Sequence, residues 1–118
     1  MSVAGRLRAV LTFTVGQGDA EEFEDAWGKV ADWARAWPGC IRQTLSRATG
    51  GDDGEIVYVI TSDWSDDAAF RSFERSKEQD VVTADLRRLR RSARMELQAV
   101  VGERLAAGVS TRVGENRK

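Results

Sequence analysis

Apolar and polar residues alternate from Leu7. Leu7, Ala9, Leu11, Phe13 and Val15 fall on one side, and Arg8, Val10, Thr12 and Thr14 on the other. A two-residue period with one strongly apolar face predicts a strand, and Gly16-Gln17-Gly18 ends it. The period then changes. Asp19 suits a helix N-cap, and Glu21 and Glu22 favour the positive end of a helix dipole. Phe23, Ala26, Trp27, Val30, Ala34 and Trp37 follow the three-four spacing of an amphipathic helix, with Trp33 at the margin of the stripe. Pro38 and Gly39 stop it. From Cys40 to Arg47 alternation returns, with Ile41, Gln43 and Leu45 on one face and Arg42, Thr44 and Ser46 on the other. The turn-rich stretch from Thr49 to Gly54 predicts a hairpin into the next strand.

That strand, Glu55 to Ser62, is apolar on both faces: Ile56, Tyr58 and Ile60 point one way, Val57 and Val59 the other. Asp63, read as a solvated turn residue, and Trp64 stand at its rim, and Ser65, Asp66 and Asp67 supply a helix start. Ala69, Phe70 and Phe73 mark a short helix, and Ser76 to Gln79 a break. A second helical piece carries Val82, Leu86 and Leu89, with Arg87, Arg88, Arg90 and Arg91 on its solvated face. Ala93 to Val101 alternates again, with Met95, Leu97, Ala99 and Val101 on one face. Strand, helix, strand, strand, helix, strand is two split βαβ units. It predicts an α+β, ferredoxin-like βαββαβ sandwich: a four-stranded antiparallel sheet with helices on one face. The prediction is a single domain over residues 1–118, with a core from about 6 to 101 and a tail over 102–118. One face of the doubly apolar strand meets the helices. The other also needs cover, and a second copy of the chain is the simplest, so a homodimer is expected.

Composition narrows the function. Eighteen basic and 19 acidic side chains leave a net charge of -1, which argues against a nucleic-acid or membrane-surface partner. One cysteine makes no internal disulfide and fits a reducing, cytoplasmic setting. No apolar run is long enough to span a bilayer, and the first residues lack the apolar segment of a signal peptide. There is no histidine, hence no His–carboxylate dyad and no imidazole ligand, and zinc or iron–sulfur sites are not expected. Gly16 and Gly18 lack the third glycine and the lysine of phosphate-binding loops. Four tryptophans are many for this length and suit either an aromatic cavity or a filled core.

Three segments taken together, Gly18-Asp-Ala-Glu-Glu-Phe23, Trp37-Pro-Gly-Cys-Ile41 and Tyr58-Val-Ile-Thr-Ser-Asp-Trp64-Ser-Asp-Asp-Ala-Ala-Phe70, resemble the antibiotic biosynthesis monooxygenase family. The likeness runs from about Leu7 to Val101. The closing Arg94-Met-Glu-Leu-Gln-Ala-Val-Val101 looks like the subgroup of bacterial aromatic polyketide pathways. The resemblance implies a dimeric α/β barrel. It also implies a cofactor-independent monooxygenase, with O₂ as co-substrate, that oxidises a polycyclic aromatic polyketide of anthrone or phenol type to a quinone. The haem-degrading branch of the family uses an Asn, a Trp and a His; only Trp64 matches, Leu11 stands at the Asn position, and haem degradation is not implied. The only asparagine is Asn116 in the tail. A polyketide cyclase, which would use substrate without O₂, and a non-enzymatic accessory protein are the alternative readings.

A cofactorless oxygenase must hold a flat ring, favour its anion and exclude water. Trp64, by family position and by its place at the strand rim, is the first candidate for a pocket wall; the alternative is plain packing. Gln43, polar between Ile41 and Leu45, suits a hydrogen bond to a substrate oxygen or to nearby backbone. The Tyr58 hydroxyl suits donation to a developing oxyanion, or a satisfied core position. Leu11, Phe13, Phe23 and Trp27 face the same space and are the candidate substrate-binding residues, with core packing as their other reading. Cys40 has no histidine to activate it.

Overall fold

The computed structural model describes residues 6–49 and 54–108. Strand β1 (Leu7–Gly16) leads through a single 3₁₀ turn into helix α1 (Ala20–Ala34). Strands β2 (Cys40–Arg47) and β3 (Glu55–Trp64) follow, then three short helices, α2 (Asp67–Arg75), α3 (Lys77–Val82) and α4 (Ala84–Leu89), and strand β4 (Arg90–Ala99). The sheet order is β2-β3-β1-β4, antiparallel throughout, with the helices over one face. This is the ferredoxin-like arrangement that the periodicity predicts. No described helix is long and apolar enough to cross a membrane.

Local chemistry explains the helix ends. Asp66 accepts from the Ala69 amide at 2.8 Å and starts α2, and Ser76 accepts from the Gln79 amide at 3.2 Å and starts α3. Asp19 occupies the N-cap of α1 without a side-chain cap bond. The predicted break comes at Ser76 alone, and the second predicted piece starts at Lys77 and divides again at Thr83, whose hydroxyl bonds back to the Gln79 carbonyl at 2.6 Å. The last strand starts at Arg90 rather than Ala93, so Arg90 and Arg91 belong to β4 and not to a helix face. The predicted hairpin loop lies mostly outside the described residues, as do residues 109–118 of the tail. Residues 101–106 form neither helix nor strand.

Two register shifts re-aim side chains. On β2, Cys40 sits opposite Trp64 but Arg42 opposite Asp63, so Ile41 is displaced and 48% exposed instead of sharing a face with Gln43. On β4, Ser92 pairs with Thr14 but Arg90 with Val15, so Arg90 comes onto the helix-side face. An extra residue in one strand turns its neighbours in this way.

The helix-side core has two clusters. One gathers Phe13, Val15, Phe23, Ala26, Val30, Tyr58, Ile60, Leu86 and Leu89. The other centres on Ala9, Trp64 and Phe70, with Trp37, Cys40 and Phe73 packed against it. The helix-free face carries Val10, Thr12, Val57, Val59 and Thr61, all half-buried. Asp63 is on that face and is 1% exposed, not a solvated turn residue. Arg8 grips it through Nε at 2.7 Å and Nη2 at 3.0 Å, and Arg6 through Nη2 at 3.0 Å. The chain after β4 joins this cluster: Glu103 pairs with Arg6 at 2.7 Å and with Arg42 at 3.6 Å.

Candidate functional site

Between the two core clusters lies a cavity of about 270 Å³. Its apolar lining comes from both: Leu11, Phe13, Val30, Ile60 and Leu86 on one side, Phe70 and Phe73 on the other. Sheet alternation places Leu11, Phe13 and Ile60 there, and the three-four spacing of α1 adds Trp27 and Val30. Polar groups join them. Gln43 and Ser62 stand on neighbouring strands in register. Glu74, Gln79, Asp80, Thr83, Arg87 and Arg90 come from the helices and the start of β4.

Periodicity does not mark the two arginines as site residues. The Arg90 guanidinium lies over the Phe13 ring, 5.5 Å from its centroid, a cation–π arrangement. Arg87 donates to the Asp80 carbonyl at 2.8 Å and to the Thr83 hydroxyl. Neither makes an ion pair among the described residues, whereas Arg88 and Arg91 pair with Glu22 and Glu55. The visible signal was only the basic run after Leu86. The register shift that turns Arg90 inward has no sequence signature.

The structure brings four of the seven candidates to the cavity: Leu11, Phe13, Trp27 and Gln43. Trp64 stands behind its wall. It is fully buried, its ring packs on Phe73 at 4.7 Å and Phe70 at 5.8 Å, and its Nε1 donates to Ser62 Oγ at 3.0 Å. All three of those partners line the cavity. Tyr58 and Phe23 do not line it. They stack at 4.7 Å, and the Tyr58 hydroxyl donates to Glu24 at 2.6 Å while Arg47 donates to it at 3.1 Å. Burial, then the Glu24 carboxylate, push the Tyr58 phenol above its ordinary pKa, and it stays protonated. The Tyr58 bond and Arg47 hold Glu24 below its ordinary pKa.

Two polar groups at the cavity are poorly satisfied. Trp27 Nε1 is buried without a hydrogen-bond partner. Gln43 Nε2 donates to the Cys40 thiol sulfur at 3.3 Å, a weak acceptor. Among the described residues no three His, Cys, Asp or Glu side chains gather as a metal site would.

The fold has known counterparts. SnoaB of Streptomyces nogalater, described as a cofactor-independent oxygenase, superposes with a TM-score of 0.73 at 25% identity over 85% of this chain and 97% of its own. A single-residue variant of SnoaB gives 0.74 at 28% identity over the same shares. A protein of Caulobacter crescentus superposes at 0.73 with 21% identity over 83% of this chain and 92% of its own, a likeness of fold alone. No curated protein sequence matches the chain. The family model for antibiotic biosynthesis monooxygenases matches residues 6–84, so the chain belongs to the antibiotic biosynthesis monooxygenase family.

Proposed function

We propose that the protein is a cofactor-independent monooxygenase that oxidises a polycyclic aromatic substrate of anthrone or phenol type to a quinone. The observation that carries the reading is an aromatic-walled cavity containing two arginines without acid partners among the described residues, in a chain of this family. The likeness to SnoaB supports it. The electron-rich ring lies against Phe13, Leu11 and Ile60, and its phenolate or carbanion is favoured by the cationic Arg87 and Arg90 at one end. The anion gives one electron to O₂, and the radical pair recombines at the ring carbon. Loss of water from that adduct leaves a carbonyl, so one oxygen atom enters the product and the other leaves as water. The apolar lining keeps bulk water from the radical pair. In this reading Trp64 is a positioning residue that acts through Phe70, Phe73 and Ser62. A polyketide-derived substrate and a homodimeric assembly belong to the same proposal.

Oxygen uptake by metal-free protein given a tricyclic anthrone tests it. Uptake with quinone formation is expected, reduced about tenfold or more in Trp64→Phe, since a displaced wall misplaces the ring. Turnover without O₂ at the aerobic rate, with loss of water from the substrate, would replace the oxygenase by a cyclase.

A further inference from the structure

We propose that the substrate extends past the cavity into a groove on the other side of Trp27 and Gln43, so that these two residues set how long a ring system the protein accepts. The inference rests on the aromatic-oxygenase reading and concerns the substrate's size and shape. A cavity of about 270 Å³ falls just below the usual range for ligand sites, about 300–1,000 Å³. A groove of about 480 Å³ lies directly beside it, between α1 and the start of β2, bordered by Gly28, Ala31, Arg35, Cys40 and Arg42. Trp27 and Gln43 are the two residues that line both spaces.

This partition is not built like a core wall. Buried polar atoms in a finished core have partners, yet the Trp27 indole N–H has none; beside it the half-buried Gln43 amide donates only to a thiol sulfur. Beside Trp27, Gly28 has open space where a Cβ would stand. Turning the Trp27 ring toward the groove would join the two spaces and bring its N–H to the crossing. A ligand carbonyl or phenolate oxygen at the crossing would accept from Trp27 Nε1 and from Gln43 Nε2, satisfying both at once. The substrate class is therefore a fused ring system of four or more rings with an oxygen near its middle. One end lies in the cavity near Arg87 and Arg90, and the other lies in the groove beside Arg35 and Arg42.

The chain's single cysteine, Cys40, borders the groove and reports on its occupancy. The experiment compares a three-ring probe, 1,8-dihydroxyanthraquinone, with a four-ring dihydroxytetracenequinone. Binding is read by quenching of protein fluorescence, and groove occupancy by the rate of Cys40 alkylation with iodoacetamide. Both probes are expected to bind. The four-ring probe should slow alkylation about tenfold or more and the three-ring probe less than about twofold, because only a group seated in the groove excludes the reagent. Trp27→Phe should weaken the four-ring probe about tenfold more than the three-ring probe, the loss of one hydrogen bond from a buried donor that only the longer ring system reaches. Gln43→Ala is the second variant, with the same selectivity expected. Four-ring binding that leaves Cys40 alkylation unchanged would overturn the extended site while leaving the cavity reading intact. Failure of both probes to bind would remove the cavity reading, and the extension with it.

Discussion

Asp63 shows how one side chain ties the end of β3 to the start of β1. It is charged, 1% exposed, and held by Arg8 and then Arg6, which keep its carboxyl below the ordinary range. A buried charge without its partners is strongly unfavourable, so the pair is sensitive to loss of either side. A carboxyl with a depressed folded-state pKa stabilises the fold fully above the ordinary carboxylate range. That contribution is lost as pH falls through the lower folded value, where the unfolded chain already binds the proton. Asp63→Asn should therefore cost about 3 kcal/mol near neutral pH, where Arg8 loses its only anion among the described residues and Arg6 keeps only Glu103. Urea unfolding at pH 7 and pH 3 checks it: the gap between the proteins should shrink at the acid end, and an equal gap at both would refute the coupling. Nothing in the local sequence marks this role. Asp63 stands next to a helix start, where carboxylates are usually solvated, and its partners are 55 and 57 residues away.

The elements were legible where a period could be counted. All four strands, α1 and the sheet face of Leu11, Phe13 and Gln43 follow from alternation and three-four spacing, because those periods are imposed by strand and helix geometry. What escaped is what breaks a period. The displaced Ile41, the inward Arg90 and the helix break at Thr83 each depend on one irregular residue whose effect is set by pairing across the sheet or by a local hydroxyl bond. The same limit holds at the candidate site. Residues that line the cavity by periodicity were found, while Tyr58, on the correct face, is tied to Glu24 and Arg47 at the far end of the strand. The turn between α1 and β2, legible in Pro38 and Gly39, has a steric basis. Gly39 has φ of 90°, its carbonyl accepts from the Ser65 amide at 2.8 Å, and a Cβ there would collide with Ala69 of α2. Gly39→Ala should lower stability by about 2–3 kcal/mol, from positive φ and overpacking together. A thermal melt within a degree of the parent would show that α2 yields without cost.

At the scale of the molecule, the helix layer covers one side of the sheet and leaves the other to Val10, Val57, Val59 and their threonine neighbours. A second copy laid against that face would cover it and complete a barrel. The expected state in solution is a dimer, and Val59→Lys, which places a charge at the middle of the face, should shift it to monomer. Sedimentation equilibrium decides: a parent protein that is monomeric at high concentration would end the dimer proposal. Strand alternation has one more consequence, for how such a protein changes over generations. On β1 the residues that shape the cavity, Leu11 and Phe13, are interleaved one by one with Val10, Thr12 and Thr14 on the opposite face. Mutation can therefore recut the interior for a new molecule while the neighbouring positions keep the outer surface constant. Two sets of selective pressures are carried by one stretch of chain without meeting, and a designer altering positions 11, 13, 43 or 60 inherits that separation.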